Sequence, residues 1–201
     1  MLLHALIPAS RANGPDLRAV VFFQGCSLGC SGCFNPQTHP FHGTEITLDD
    51  LIQEVLRARQ QHTLEGITFS GGEPMQQADS LLQLIQRLHE QAPELSFCIF
   101  SGYAEHELDQ GQYWVWGDSS SGQHRQRLWQ EIRACLDFAV LGRFNQAQPG
   151  NRPLRTSRNQ VLRLFTDSYT PADFSEQLTE VSIGEGGRAE VTGFPTLGLP
   201  W

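Results

Sequence analysis

Short apolar runs alternate with amphipathic helical segments along this sequence, and that alternation is the feature that most constrains the fold. Five runs rich in β-branched and aromatic residues are predicted as strands: "RAVVFFQG", "GITFSGGEP", "LSFCIFSGY", "LDFAVLGRF" and "NQVLRLF". Leucine and isoleucine recur at helical spacing in 44–62 and again in 81–88, and Thr47 is the expected N-cap of the first helix. The order predicts an α/β fold in which helices cover a parallel sheet.

Length and composition fit one domain and exclude several classes of protein. The 201 residues can bury a core without disulfides. A formal net charge of −8 argues against a nucleic-acid partner, because a phosphate backbone is bound by a basic face. We find no secretory leader and no apolar stretch that could cross a bilayer, so we expect a cytoplasmic protein without a membrane partner. The odd total of five cysteines suits that reducing compartment.

Two segments interrupt the alternation. Residues 109–127 are rich in Gly, Ser and Gln but contain Tyr113, Trp114 and Trp116, and we predict a long surface loop or insertion there. The C-terminal extension, about 170–201, contains "EVSIGEGGRAEVTGF", which is typical of a β-hairpin around a Glu-Gly-Gly turn. Both are predicted as additions to a single domain that spans the whole chain.

Three of the five cysteines, Cys26, Cys30 and Cys33, lie within eight residues directly after the first predicted strand. Cysteines that serve only in packing are scattered and buried, as we expect for Cys98 and Cys135. The clustered spacing therefore predicts a metal or iron–sulfur site.

Two kinds of centre fit three thiolates. A structural zinc ion takes four ligands, and His39 or His42 is close enough in sequence to supply the fourth. A [4Fe-4S] cluster held by three cysteines keeps one iron open for a substrate or cofactor, and glycines between the ligands let the backbone pass close to it. We favour the cluster and keep zinc as the alternative.

A second motif, Gly-Gly-Glu-Pro at 71–74, follows the second predicted strand. Together with C-x3-C-x2-C after the first strand, it makes the sequence resemble the radical S-adenosylmethionine (SAM) superfamily. Within that superfamily the sequence resembles the activating proteins of anaerobic (class III) ribonucleotide reductase, in the segments "NGPDLRAVVFFQGC", "CSGCFNPQTH", "ITFSGGEP", "FSGY", "VLGRF" and "TSRNQ". This likeness covers about residues 10–165, which we take as the core of the domain.

The resemblance implies a fold, a reaction and partners. The fold would be an incomplete TIM-type barrel of about six parallel strands with outer helices. A [4Fe-4S] cluster on Cys26, Cys30 and Cys33 would reductively cleave SAM to a 5′-deoxyadenosyl radical. The radical would install a glycyl radical on a large partner enzyme such as anaerobic ribonucleoside-triphosphate reductase. A flavodoxin- or ferredoxin-type protein would supply the electron.

The resemblance also implies which residues contact SAM. Gly71 and Gly72 would let the backbone approach its methionine part, and Glu73 would hold its ammonium group. Phe34 would pack near the adenine ring, and the Ser101 hydroxyl would reach the cofactor from the third strand. No catalytic side chain is implied beyond the cluster ligands and these contacts.

This chain departs from the family pattern in ways that bear on its substrate. Leu141 stands where the family usually has an aspartate, and the two additional segments lengthen the short family form. A radical SAM enzyme that modifies a peptide or small molecule is therefore an alternative function. A non-catalytic zinc or iron–sulfur module is a second, less favoured alternative.

Overall fold

The computed structural model describes residues 1–174, 178–183 and 189–194. Its strands are β1 (Leu2–Ser10), β2 (Arg18–Phe23), β3 (Thr44–Glu45), β4 (Gly66–Gly71), β5 (Ser96–Ser101), β6 (Phe138–Leu141), β7 (Pro149–Arg152), β8 (Arg155–Ser157), β9 (Val161–Leu164), β10 (Thr179–Ile183) and β11 (Ala189–Gly193). Its α-helices are α1 (Leu48–Gln61), α2 (Ala78–Gln91), α3 (Glu105–Asp109) and α4 (Gly122–Ala134). Short 3-10 turns cover Pro36–Thr38, Pro74–Gln77 and Pro171–Asp173.

Seven strands form one mixed sheet in the order β3-β1-β2-β4-β5-β6-β9. The central strands β2, β4, β5 and β6 pair in parallel, whereas β1, β3 and β9 pair antiparallel with their neighbours. A parallel-rich α/β sheet is therefore confirmed. The expected number of about six parallel strands is wrong, because the parallel set consists of β2, β4, β5 and β6. Closure toward a barrel stays a prediction.

The correction has a simple cause at β9, which was predicted as a fifth parallel strand. A parallel return needs a crossover of a dozen or more residues, usually a helix. The described chain between β6 and β9 instead forms the small β7–β8 hairpin, so β9 returns antiparallel beside β6. The N-terminal β1 carries no clear alternation of apolar and polar residues, and the sequence gives no strand signal there.

The two long helices form as predicted. The Thr47 Oγ1 accepts a hydrogen bond from the Asp50 amide at 3.1 Å, which caps α1. Both helices bury their leucine and isoleucine face in the main core of the sheet.

The carboxyl ends of the four parallel strands lie at one edge of the sheet. Phe23 of β2 is in register with Gly71 of β4, and Ser101 of β5 is in register with Leu141 of β6. The loops that leave these strands therefore meet above the same edge, and all eight predicted site residues lie at this edge or in those loops.

Arg18 lies near the opposite edge and is completely buried. Its guanidinium donates to Thr68 Oγ1 at 2.9 Å, Ser96 Oγ at 2.8 Å and the Ile67 carbonyl at 3.0 Å. It also lies 5.1 Å from the ring centroid of Phe138. Among the described residues no carboxylate pairs with it, so neutral oxygens and an aromatic face compensate the buried charge.

The segment 109–127 is less loop-like than predicted. The side chains of Tyr113 and Val115 are each 3% exposed, and α4 begins inside the segment. Trp114 and Trp116 point outward, with exposed fractions of 44% and 41%. The helical part has few apolar residues, which is why its composition indicates a loop.

The C-terminal hairpin is confirmed, since β10 and β11 pair antiparallel. The predicted Glu-Gly-Gly turn lies outside the described residues. Among the helices that the structure describes, none is both long and apolar enough to cross a bilayer.

Candidate active site

The three clustered cysteines lie in the loop that follows β2. This cysteine loop comprises residues 26–33. Two backbone hydrogen bonds fix its start: the Gly25 amide donates to the Thr38 carbonyl at 2.7 Å, and the Cys26 amide donates to the His39 carbonyl at 3.0 Å. Gly29 has a φ of 59°, in the left-handed region where glycine carries no steric penalty. The loop can thus turn sharply between its cysteines.

The three thiols are half-buried and close enough to interact electrostatically. Burial, together with the negative charges of Glu73, Cys30 and Cys33, raises the pKa of Cys26 to about 11. Burial also raises the pKa of Cys30. Three sulfur atoms gathered in one loop offer three ligands that a metal binds as thiolates, so the donor set fits an iron–sulfur cluster.

Backbone amides are directed at two of these sulfurs. The Leu28 amide lowers the pKa of Cys26, and the Phe144 amide, with the Arg143 charge, lowers that of Cys30. Amide hydrogen bonds of this kind tune the sulfur ligands of iron–sulfur centres. The Phe144 contact also ties the cysteine loop to the loop after β6.

The histidines proposed as a fourth zinc ligand have different environments. His42 is exposed. His39 is half-buried, and its Nε2 has no hydrogen-bond partner among residues 1–174, 178–183 and 189–194. In the part of the chain that the structure describes, neither histidine belongs to a compact set of three ligand atoms with the cysteines. Among the described residues the three thiols do not form such a set by themselves either, so the spacing of the ligand atoms does not decide between zinc and a cluster.

The Gly-Gly-Glu motif packs directly against the start of the cysteine loop. The Gly72 amide donates to the Phe23 carbonyl at 2.8 Å, and the Glu73 amide donates to the Gly25 carbonyl at 2.9 Å. A Cβ on Gly71 would lie 2.4 Å from the Phe23 nitrogen, and one on Gly72 would lie 2.3 Å from the Gly25 oxygen. Both glycines are thus needed for the close approach of two protein loops, a role that sequence reasoning missed.

Glu73 is buried, and three donors bind its carboxylate. Met75 N and Ser101 Oγ donate to Oε1 at 3.0 and 2.8 Å, and Gly102 N donates to Oε2 at 2.7 Å. Burial raises the pKa of Glu73 to about 7 against this hydrogen bonding. Within the described chain no cationic side chain forms a salt bridge with it. A buried carboxylate of this kind is a good partner for a ligand ammonium group.

Ser101 and Glu73, predicted separately, form one hydrogen-bonded unit across β4 and β5. Ser101 Oγ also accepts from the Tyr103 amide at 3.1 Å, so the hydroxyl is engaged with protein. Phe34 lies against Phe144, with ring centroids 4.9 Å apart. Their proposed contacts with SAM stay predictions.

Arg143 and Leu141 define the far side of the site. Arg143 forms a two-pronged ion pair with Glu107, at 2.6 and 3.0 Å, and lies 5.4 Å from the ring centroid of Tyr103. Leu141, at the family's usual aspartate position, is buried in the main core. The positive charge of Arg143 lowers the pKa of Glu73.

Two buried residues near the cysteines, Gln76 and Tyr103, were not predicted as site residues. Gln76 is hydrogen-bonded to Ser27, next to Cys26, and to the Tyr103 hydroxyl. The only signal for them was their place beside the Gly-Gly-Glu-Pro and Phe-Ser-Gly-Tyr motifs.

Three clustered thiols at the carboxyl ends of parallel strands suit an iron–sulfur protein, and comparison with known proteins places the chain in that class. Residues 12–163 match the family model described as a 4Fe-4S single cluster domain. The anaerobic ribonucleoside-triphosphate reductase-activating protein of Vibrio cholerae is 31% identical over 174 residues, which cover 83% of this chain and 99% of that protein. The chain belongs to the radical SAM family of activating proteins, and it is an iron–sulfur enzyme of that type.

Two further similarities are more limited. The pyruvate formate-lyase-activating enzyme of Clostridium pasteurianum is 38% identical over 92 residues, 44% of this chain and 39% of that enzyme. The solved structure of QueE from Escherichia coli matches 50% of this chain and 51% of that one, with a TM-score of 0.37 and 21% sequence identity.

Proposed function

We propose that this enzyme holds a [4Fe-4S] cluster on Cys26, Cys30 and Cys33, binds SAM beside it, and installs a glycyl radical on anaerobic ribonucleoside-triphosphate reductase. The observation that carries the proposal is the pairing of three half-buried thiols with the buried Glu73 carboxylate at one edge of the sheet. The name of the Vibrio cholerae relative supports the choice of partner. When bound and reduced, the cluster supplies the electron that cleaves SAM.

The protein's own part begins with charge. Glu73 has its two oxygens fixed by Met75 N, Ser101 Oγ and Gly102 N, so the carboxylate is oriented before any ligand arrives. An ammonium group placed beside it would replace a missing countercharge and keep the carboxylate ionised. The buried charge of Glu73 destabilises the free protein, and an ammonium group of SAM would relieve that cost on binding.

The apolar side of the site is supplied by Phe34 and Phe144. Their rings pack together at the mouth of the cysteine loop, and the flat face of an adenine suits such neighbours. Leu28 of the same loop lies over the end of β5, where a Cβ on Gly102 would be 2.4 Å from its methyl group. Apolar side chains in these places would limit the access of water to a cofactor bound beside them.

Partners and setting complete the proposal. A large glycyl radical enzyme is the substrate, and its glycine Cα loses a hydrogen atom. A flavodoxin- or ferredoxin-type donor supplies the electron, and the reaction takes place in the cytoplasm. The single domain would use residues 10–165 as its core, with 109–127 and the C-terminal extension added to it.

The test uses anaerobically reconstituted full-length protein with reductant, SAM and the purified reductase. We expect 5′-deoxyadenosine to form, and a glycyl radical to appear in the reductase by electron paramagnetic resonance. Cys30→Ala should abolish both, whereas Cys135→Ala, a matched change at the end of α4, should abolish neither. Deoxyadenosine without a glycyl radical would contradict the assigned partner, and activity in Cys30→Ala would contradict the ligand set.

A further inference from the structure

Gln76 is a buried side chain with an unusual position among the elements of the site. It is 0% exposed and lies in the short turn between the Gly-Gly-Glu motif and α2. Its Oε1 accepts from the Ser27 amide at 2.9 Å, and its Nε2 donates to Ser27 Oγ at 2.7 Å. The side-chain amide of Gln76 therefore binds both the backbone and the side chain of Ser27, the residue next to Cys26.

The same amide reaches a second element. Gln76 Nε2 also donates to the Tyr103 hydroxyl at 2.8 Å, and that hydroxyl accepts from the Trp114 amide at 3.1 Å. The Gln76 carbonyl accepts from the Trp116 amide at 2.7 Å. Gln76 thus connects the cysteine loop by hydrogen bonds to the segment with the exposed tryptophans, beside the packing of Phe41 against both tryptophans.

The amide of Gln76 satisfies all three of these partners at once. The Ser27 N–H can only donate, which fixes the oxygen of Gln76 toward it and turns the nitrogen toward the two hydroxyls. A leucine would fill similar space but would leave the Ser27 amide and hydroxyl without their Gln76 partner and the Tyr103 hydroxyl with only the Trp114 amide. A glutamate could still accept from the Ser27 amide, and both hydroxyls can rotate to donate to its second oxygen.

We propose that Gln76 is a positioning residue that sets the place of Cys26 in the cysteine loop. This inference builds on the proposed function, because it gives the position of Cys26 a purpose as a cluster ligand. Gln77 does a different task, since its amide holds Leu2 and the Gln24 carbonyl and so fixes β1.

The test measures the position of Cys26 directly and needs neither cluster nor SAM. The cluster-free full chain is treated with iodoacetamide under anaerobic conditions, and the alkylation rate of each cysteine is read by peptide mass spectrometry. Cys98 is completely buried, so its rate reports global unfolding. In Gln76→Leu we expect the Cys26 rate to rise about tenfold relative to Cys98, the effect of losing little more than one net hydrogen bond.

Two variants give the experiment its controls. Asn13→Leu removes a buried amide that donates to Ser10 Oγ at 2.9 Å and Thr192 Oγ1 at 2.8 Å, ahead of β2 and apart from the cysteine loop. It should leave the ratio of Cys26 to Cys98 rates as in the wild type. Gln76→Glu keeps an acceptor for every partner and should restore most of the protection at Cys26.

The outcomes separate this inference from the proposed function. Equal acceleration of Cys26 and Cys98 in Gln76→Leu would overturn it, because Gln76 would then serve only general stability. An unchanged Cys26 rate, or no rescue by Gln76→Glu, would overturn it as well. SAM cleavage by the reconstituted wild type tests the proposed function independently of all these rates.

Discussion

Replacing Glu73 with glutamine isolates the charge that we assign to SAM binding. The substitution keeps the length and shape of the side chain and removes its negative charge. One oxygen can still accept from Ser101 Oγ, while the new amide group faces a backbone donor that the carboxylate accepted before. The variant therefore removes the cost of a buried charge but leaves the Gly102 amide without its acceptor.

The size of the effect on stability follows from the pKa of Glu73. Burial raises it from the ordinary 4.5 to about 7, so the folded chain binds more protons than the unfolded chain between these values. The contribution of Glu73 to the free energy of unfolding is therefore largest below pH 4.5 and is lost as the pH rises through about 7. At 1.36 kcal/mol for each pKa unit, the full change is about 3 kcal/mol, of which about 2 kcal/mol falls between pH 5 and 7.5.

The assay is urea unfolding of the cluster-free wild type and Glu73→Gln at several values of pH between 5 and 7.5. We expect the free energy of unfolding of the wild type to fall by about 2 kcal/mol relative to that of Glu73→Gln as the pH rises over this range. Other titrating groups are common to both proteins and cancel. In the reconstituted enzyme, loss of the charged contact should weaken SAM binding by about 30-fold at pH 8, or about 2 kcal/mol.

Two results would refute this reasoning. A stability difference that does not vary with pH would show that Glu73 titrates normally. A Glu73→Gln enzyme that binds SAM as tightly as the wild type would show that the ammonium group lies elsewhere.

Three further predictions rest on particular contacts. Gly72→Ala should lower the free energy of unfolding by about 1–3 kcal/mol, and also the iron content of the reconstituted protein, because its methyl group would lie 2.3 Å from the Gly25 oxygen. The control Gly29→Ala has no atom within 4 Å of its Cβ and should cost only the strain of its φ of 59°, about 1 kcal/mol. Equal losses in the two variants would contradict the steric argument. Arg18→Leu should lower the free energy of unfolding by about 3–5 kcal/mol in urea, because several buried oxygens lose their donor, and a change below 1 kcal/mol would contradict that role. Cys98→Ala should retain full iron content, and loss of iron there would place a ligand outside the cysteine loop.

Much of the fold follows from local pattern. The four parallel strands are predicted by apolar runs that end in small residues. Helix α1 is predicted by its Thr47 N-cap and by the apolar face that it buries. The direction of β9 does not follow from local pattern. It depends on whether the connection before β9 contains a crossover helix, and the sequence of that connection does not reveal this. Residues 122–127 were misread as loop because a helix with few apolar residues has a loop-like composition.

The site divides in the same way. Cys26 and its two companions are identified by spacing alone, and Glu73 by its motif. The hydrogen bond between Glu73 and Ser101 is invisible in the sequence, because it joins residues 28 positions apart through strand register. Gln76 escapes for a further reason: a glutamine has no characteristic pattern, and its meaning comes only from the partners that the fold brings to it.

The most direct test of the central claim is the electron paramagnetic resonance spectrum of the reduced, reconstituted protein before and after addition of SAM. A cluster with an iron open to SAM, held by Cys26, Cys30 and Cys33 beside Glu73, predicts a signal that SAM changes in the wild type. It also predicts much less change in Glu73→Gln at the same SAM concentration. A wild-type signal that SAM leaves unchanged, or protein that takes up zinc and no iron–sulfur cluster, would contradict the account.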